Sequence, residues 1–165
     1  MKPAALAAAK SASVTCAGLV ATLLISVPKG GGISALPTTA ENMSWADSAG
    51  ALISTAADLT RFWSAIGRGA LLGPAQTREM RQTVPATGGD SASVPGSRYG
   101  LGIFFIPLSC GGGYWSHEGD VPGYNTIGAV SSDGRTTVAL SINSNVDDPV
   151  LAAEYHLVDH VMCHR

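Results

Sequence analysis

Charged residues are scarce in this chain. Lys, Arg, Asp and Glu make up 13% of its 165 residues, and ten basic against twelve acidic side chains leave a formal net charge of −2. Such a surface offers little electrostatic attraction for nucleic acid, so we expect no nucleic-acid partner. The sequence also lacks a nucleotide-binding glycine loop and any recognised metal-ligand spacing, so we expect no cofactor and no metal. The length fits one globular domain.

Long apolar runs are few, and the main one lies near the start of the chain. It covers residues 14–27 and follows Lys2 and Lys10. The pattern is typical of an export signal or an anchor. The run is shorter than the roughly 20 residues that span a membrane, and a buried core helix is the alternative. We expect an exported protein in which residues 1–36 are this segment and provide the only membrane contact, while residues 37–165 are the folded domain.

Cysteine is limited to three residues. Cys16 lies in the apolar run, Cys110 precedes a predicted strand, and Cys163 is the third residue from the end. A bond between Cys110 and Cys163 would tie the last helix to the sheet, and it would contribute roughly 4 kcal/mol by restricting the unfolded chain. Two unrelated free thiols are the alternative. A disulfide would agree with export, because such bonds persist in oxidising compartments.

Two helices are predicted in the first half of the domain. Ser54 or Thr55 can cap the first helix, and Asp58 complements its positive end. Four residues at helical spacing give this helix an apolar face: Leu59, Phe62, Trp63 and Ile66. The second helix is predicted over 75–83, and the loop after it over 85–97, where glycine, proline and serine are frequent.

The pattern changes to that of strands near residue 98. Aromatic and branched residues predict strands over 99–108, 114–119, 125–130 and 136–142. A hairpin turn is predicted at 132–134, and an amphipathic helix begins near Pro149. Because sequential hairpins place neighbouring strands antiparallel, the predicted fold class is α+β, with an antiparallel β-meander sheet flanked by helices.

The strand over 114–119 ends in a charged, glycine-rich corner. Alternation along a strand places Trp115, His117 and Gly119 on one face. An imidazole beside a glycine at a strand end suits the lining of a cleft, since glycine lets a ligand approach the backbone closely. The alternative is a half-exposed histidine on an ordinary sheet.

Several short segments follow one another in a recognisable order: 49–59 with Phe62, 99–102, 117–119, 122–124 and 132–134. This order resembles the carboxy-terminal part of the penicillin-recognising serine hydrolases, which include class C β-lactamases, D-alanyl-D-alanine carboxypeptidases and related esterases. The resemblance covers about 120 residues. It implies a partial β-lactamase/transpeptidase-like fold that lacks the helical nucleophile domain. The similarity to actinomycete-type DD-carboxypeptidases implies that Cys110 and Cys163 are paired.

The resemblance also implies roles for the corner residues. His117-Glu118-Gly119 corresponds to the family's third active-site motif, with His117 near the nucleophile and Gly119 leaving room for substrate. The backbone N–H of Asp120 would be an oxyanion-hole donor. Glu118 and Tyr124 would contact substrate. Glu118 stands where the family has a hydroxyl residue, so it would repel a substrate carboxylate if it faces the cleft, which favours a neutral ester or amide, or no activity.

The family's other two motifs are not evident. No Tyr-x-Asn precedes His117, and the one Ser-x-x-Lys, formed by Ser26 and Lys29, includes a proline and is followed by glycines. Such a segment does not continue a helix, which argues against Ser26 as the nucleophile. A triad of Ser116, His117 and Asp120 is excluded, because adjacent strand residues point to opposite faces.

Three functional hypotheses follow. The chain is the carboxy-terminal portion of a serine hydrolase and is inactive alone, with a peptide or ester substrate once a helical domain completes it. A second hypothesis is an active esterase or peptidase that uses Ser26, Lys29 and His117. A third is an exported, non-enzymatic module that binds cell-wall peptide or a partner, whose uncovered apolar surface predicts self-association.

Three histidines recur on the last predicted helix. His156, His160 and His164 are spaced four residues apart and therefore share one helix face. A surface metal contact is conceivable there. A solvated polar face is the interpretation that this pattern favours.

Overall fold

The fold is seen in a computed structural model. It describes residues 14–15, 20–25, 46–47, 50, 52–121, 124–142 and 148–164. Ser26 and Lys29, the candidate nucleophile and base, lie outside the described residues. Cys16 and the predicted turn at 122–123 do so as well.

Within the described residues, eight strands form one sheet in the order β1-β2-β8-β7-β6-β5-β4-β3. The strands are β1 (Val14–Thr15), β2 (Val20–Ile25), β3 (Val84–Pro85), β4 (Arg98–Tyr99), β5 (Phe104–Pro107), β6 (Gly113–Val121), β7 (Tyr124–Ser131) and β8 (Thr137–Ile142). All neighbours are antiparallel except β2 and β8, which are parallel. Chain order and sheet order agree from β3 to β8, so the predicted antiparallel meander is confirmed.

Three helices accompany the sheet: α1 (Ala56–Gly67), α2 (Pro74–Met80) and α3 (Asp148–Cys163). The predicted start of α1 is confirmed, because the Thr55 hydroxyl accepts the Asp58 N–H at 3.1 Å and donates to its carboxylate at 2.8 Å. Trp63 and Ile66 on this helix are buried as predicted. Phe62 is half-exposed, so the buried face is narrower than the sequence spacing suggests.

The two faces of the sheet carry separate cores. On one face, Trp63 of α1 packs with Trp115 and Val130. On the other, Tyr155 and Val158 of α3 pack against side chains of β5 to β8. The sheet is therefore buried between helices, as the α+β prediction requires.

A disulfide joins Cys110 to Cys163 across 5.9 Å between their Cα atoms, which confirms the predicted pairing. Beside it, Ser109 donates its N–H and its hydroxyl to the Asp159 carboxylate at 2.7 and 2.6 Å. Partial burial opposes ionisation of Asp159, but these two bonds outweigh it and hold the pKa of that carboxyl below its usual value. One covalent and two charge-assisted bonds thus connect α3 to the end of β5.

Three element boundaries differ from the sequence prediction. The predicted strand over 99–108 is two strands, because the chain turns at Gly102, whose φ of 76° is incompatible with an extended residue. Gly100 lies against the Met80 carbonyl, where a Cβ would not fit, and α2 ends at this contact rather than at residue 83. The predicted loop over 85–97 contains a 3-10 turn, Asp90–Ser93.

The apolar run near the start of the chain contributes β1 and β2. Residues of β2 pair in parallel with β8, from Val20 opposite Thr137 to Ile25 opposite Ile142. No described helix is long and apolar enough to cross a membrane. Export of the protein, with cleavage or anchoring through residues 1–36, stays a prediction.

Candidate active site

The site is built at a stretch of β6 that extends beyond its neighbour. β5 pairs with β6 only from Gly113 to Ser116, whereas β7 follows β6 to Val121. Over residues 117–121, one edge of β6 has no strand partner among the described residues. An open strand edge presents main-chain donors and acceptors that an extended ligand can pair with.

The hydrogen bonds between β6 and β7 show which main-chain N–H and C=O groups of β6 point toward the open edge. The Gly113 carbonyl accepts a hydrogen bond from Ser132 N–H, on the β7 side. Successive residues of an antiparallel strand address opposite neighbours, so odd-numbered residues of β6 face β7. The N–H and C=O groups of Glu118 and Asp120 therefore face the open edge.

His117 is exposed at the start of this open stretch. Its ring centroid lies 5.8 Å from that of Phe104 and 6.4 Å from that of Tyr99. Its Nδ1 lies 2.6 Å from the Glu118 carbonyl oxygen, the ring's only hydrogen-bond partner among the described residues. If Nδ1 carries the proton and donates it there, Nε2 is left as the atom that can act on a ligand.

A cleft of about 420 Å³ lies beside the imidazole. Its walls are the loop over 84–89 and the rings of Tyr99, Phe104 and His117. The first two of these rings are 4.5 Å apart between centroids, so the cleft has an aromatic wall. A second cleft, of about 320 Å³, lies between β5 and α3 and contains none of the predicted catalytic or substrate-binding residues.

The Glu118 carboxylate lies close to Gly89, one of the residues that line the first cleft. A Cβ added to Gly89, one of the lining residues, would lie 3.0 Å from Glu118 Oε1 and 3.2 Å from Phe104 Cζ. No basic residue occurs in β5. The wall of the cleft is therefore aromatic, and the nearby Glu118 carboxylate would repel a negatively charged ligand group.

The remaining predicted site residues lie further along β6 and β7. Gly119 and Asp120 are exposed on the open stretch, and a Cβ at Gly119 would approach Thr126 Oγ1 to 2.8 Å. Tyr124 is 39% exposed, pairs with Val121 and does not line the cleft. The structure thus brings residues 117–120 together at one edge, with Tyr124 on the neighbouring strand.

Ser116 adjoins this edge but is engaged elsewhere. Its side chain is buried, and the hydroxyl donates to the Gly128 carbonyl at 2.9 Å. The hydroxyl therefore cannot accept activation from His117, as expected from strand alternation. The described part of the chain shows a site with an imidazole and a strand edge but with no hydroxyl hydrogen-bonded to the imidazole.

Two features of the site were not predicted from the sequence. The aromatic wall depends on the pairing of Tyr99 with Phe104, which the break between β4 and β5 makes possible. The proximity of Gly89 to the Glu118 carboxylate depends on the path of the loop over 85–97, which the sequence does not predict. The adjacent glycines at 88–89 were the available signal, since glycine permits both close approach and the positive φ of 79° at Gly89.

A meander sheet with helices on both faces, one of them tied to it by the Cys110–Cys163 bond, is a partial β-lactamase/penicillin-binding-like fold. The family model described as Beta-lactamase matches residues 13–161, and the chain belongs to that family. The match begins inside the predicted export segment. It includes every residue of the open edge.

Among the solved structures that are similar to this chain are two enzymes. A D-stereospecific amidohydrolase from Streptomyces sp. is 31% identical with a TM-score of 0.52, over 61% of this chain and 29% of that one. A D-amino acid amidase from Ochrobactrum anthropi SV3, in complex with D-phenylalanine, is 24% identical with a TM-score of 0.51, over 64% of this chain and 34% of that one. The similar region is about a third of either enzyme.

Proposed function

We propose that this chain is the carboxy-terminal portion of a serine hydrolase catalytic domain and carries the sheet-edge half of an active site. The observation that carries the proposal is the sequence His117-Glu118-Gly119 on the open stretch of β6. Within the described residues no hydroxyl bonds to the imidazole, and the matched region covers only 29% and 34% of the two similar enzymes. The nucleophile would therefore come from a helical domain. The chain is inactive alone.

The chemistry of the complete site would be acyl transfer. A base of the completing domain takes the proton of the added hydroxyl as its oxygen attacks the substrate carbonyl, while His117 polarises the site, and the resulting oxyanion receives hydrogen bonds. The Asp120 N–H is one donor, and the nucleophile's own N–H is the other. Collapse of the tetrahedral intermediate breaks the bond to the leaving amine or alcohol, which takes up that proton, and water then hydrolyses the acyl-enzyme. The substrate would lie along β6 as an additional strand, with Gly119 leaving space for it.

Two arguments support a substrate class: the negative charge of Glu118 and the activities of the two similar enzymes. Glu118 close to the cleft wall disfavours a terminal carboxylate, which argues for an amide or ester over a D-alanyl-D-alanine end. The two similar enzymes are named as an amidohydrolase and an amidase that act on D-compounds. The aromatic wall of Tyr99 and Phe104 suits an apolar side chain. Amides of apolar D-amino acids are therefore the first substrates to test.

Inactivity of the isolated chain is tested with purified protein. Nitrocefin, p-nitrophenyl acetate and D-phenylalanine amide should show no turnover, and a fluorophosphonate probe should leave no adduct detectable by mass spectrometry. Turnover that disappears in Ser26→Ala would contradict this and would support the hypothesis in which Ser26 and Lys29 act with His117.

The half-site itself is tested by supplying a nucleophile. Residues 52–164 replace the matching portion of the Streptomyces amidohydrolase, and the chimera is assayed on D-amino acid amides. Activity should fall at least a hundredfold in His117→Ala and persist in His156→Ala, which changes an exposed histidine of α3. The assignment of His117 to the active site would be contradicted by a folded chimera whose nucleophile reacts with fluorophosphonate but whose amide turnover is unchanged in His117→Ala.

The alternative function is an exported binding module without enzymatic activity. It is favoured by the exposed large apolar side chains on the described surface, among them Leu52, Phe62, Leu71 and Leu101. An uncovered apolar surface promotes association. Size-exclusion chromatography with light scattering should show concentration-dependent oligomers, and a monomer at every concentration would count against this function. The disulfide supports the proposal of export.

A further inference from the structure

Two histidines stand together at the carboxy-terminal end of α3, outside the site described above. His160 is in the last turn and His164 follows the last helical residue, and both are exposed. Their ring centroids are 4.3 Å apart, with an interplanar angle of 27°. The two rings are therefore stacked on each other.

This spacing matches what one metal ion requires of two imidazoles. Residues four apart on a helix have Cβ atoms about 5–6 Å apart on one face. Nitrogens that share a metal at about 2.0–2.1 Å each are about 3 Å apart. The ring centroids are 4.3 Å apart, so rotation of the His160 side chain is enough to bring one of its nitrogens and Nε2 of His164 onto one ion.

A hydrogen bond leaves one nitrogen of His164 free for coordination. Its Nδ1 lies 3.0 Å from the His160 carbonyl oxygen. A proton on Nδ1 donates to that oxygen, which leaves the Nε2 lone pair directed away from the backbone. Metal-binding histidines commonly hold their second nitrogen in this way, because the bond fixes both the tautomer and the ring orientation.

The local electrostatics favour a cation. The last carbonyl groups of a helix have no intrahelical partner and give this end a partial negative charge. Asp159 adds a carboxylate one residue before His160, and Ser109 holds both of its oxygens. That carboxylate contributes negative charge near the histidines without serving as a ligand.

We propose that His160 and His164 form a two-histidine chelate for a divalent transition metal, with water in the remaining positions. Within the described residues, no group of three or more His, Cys, Asp or Glu is arranged to hold a metal. The site is therefore an open surface chelate, unlike a closed structural zinc centre. Among divalent ions, Cu²⁺ should bind most tightly, in keeping with the general order of affinity for nitrogen ligands.

The test is calorimetric titration of the untagged, oxidised 165-residue chain with Cu²⁺ and with Zn²⁺. Saturable binding of one ion per chain is expected, with at least tenfold weaker affinity in His160→Ala and in His164→Ala. His156→Ala is the matched control, because His156 is exposed one turn earlier on the same face. Circular dichroism and the intact disulfide verify that each variant is folded.

Three outcomes would overturn the proposal. The first is absence of saturable binding by the unmodified chain. The second is equal affinity in all variants. The third is a loss in His156→Ala as large as that in His160→Ala, which would move the site one turn up the helix.

Discussion

Gly128 of β7 lies directly against the indole of Trp63. A Cβ at residue 128 would overlap the indole ring, so the absence of a side chain lets α1 settle on the sheet. Gly128 is also the residue of β7 that pairs with His117. The contact between helix and sheet is therefore made at the β7 residue that pairs with His117.

Gly128→Ala should destabilise the protein by about 1–3 kcal/mol, because an added methyl group forces Trp63 out of its packed position. Urea denaturation followed by tryptophan fluorescence measures the change. Gly88→Ala is the matched control, since a Cβ there meets nothing within 4 Å and its φ is not positive. Equal denaturation midpoints for the two variants would show that α1 does not depend on this contact.

Removal of the disulfide should lower the free energy of unfolding by roughly 4 kcal/mol, because the bond closes a loop of 53 residues. The measurement is thermal or urea unfolding of the double variant Cys110→Ser/Cys163→Ser. Dithiothreitol should produce a similar loss in the unmodified protein and none in the variant. If dithiothreitol still destabilised the variant, its effect would not arise from reduction of the Cys110–Cys163 bond.

The cap of α1 should set the pKa of Asp58. The hydrogen bond with Thr55, followed by that with Arg61, holds this pKa below the ordinary value of 3.8. The stabilisation is present above pH 3.8 and is lost as the pH falls through the lowered value. Thr55→Ala should raise the pKa measured by NMR titration and should cost about 1 kcal/mol through loss of the cap. Ser54→Ala removes a hydroxyl whose one hydrogen bond within the described part of the chain is to the Thr55 carbonyl at 3.5 Å, and it should change neither quantity.

Deletion of residues 1–36 should increase self-association. The deletion removes β2, and the edge of β8 (Thr137–Ile142) then loses its parallel partner and becomes available to other chains. Light scattering at matched concentrations measures the change. Deletion of residues 1–12, which leaves β1 and β2 intact, is the control. Identical association states for the two deletions would mean that pairing with β2 does not prevent self-association through the edge of β8.

The meander was predictable because its signals are local. Alternating apolar residues and the turn at 132–134 identify β7 and β8 without knowledge of their partners. The cap at Thr55 was predictable for the same reason. Local signals were not enough to predict the pairing of Cys110 with Cys163, because sequence spacing alone left free thiols possible. That prediction depended on the resemblance to a known family.

The parts that could not be predicted depend on distant contacts. Pairing of β2 with β8 joins segments that are far apart in sequence, and the apolar run was interpreted as an export segment on composition alone. The strand over 99–108 was predicted as continuous because aromatic residues flank Gly102, whose positive φ has no clear sequence signal. The aromatic wall of the cleft depends on that break between β4 and β5, so the sequence did not predict the wall either.

The parallel pairing of β2 with β8 imposes an order on synthesis. Val20 leaves the ribosome roughly a hundred residues before Thr137, its partner. At about 5–20 residues per second, the edge of β2 that faces β8 waits several seconds or longer for its partner. Completion of the sheet therefore waits until β8 has been synthesised, and the edge of β2 that pairs with β8 is open in the growing chain until then.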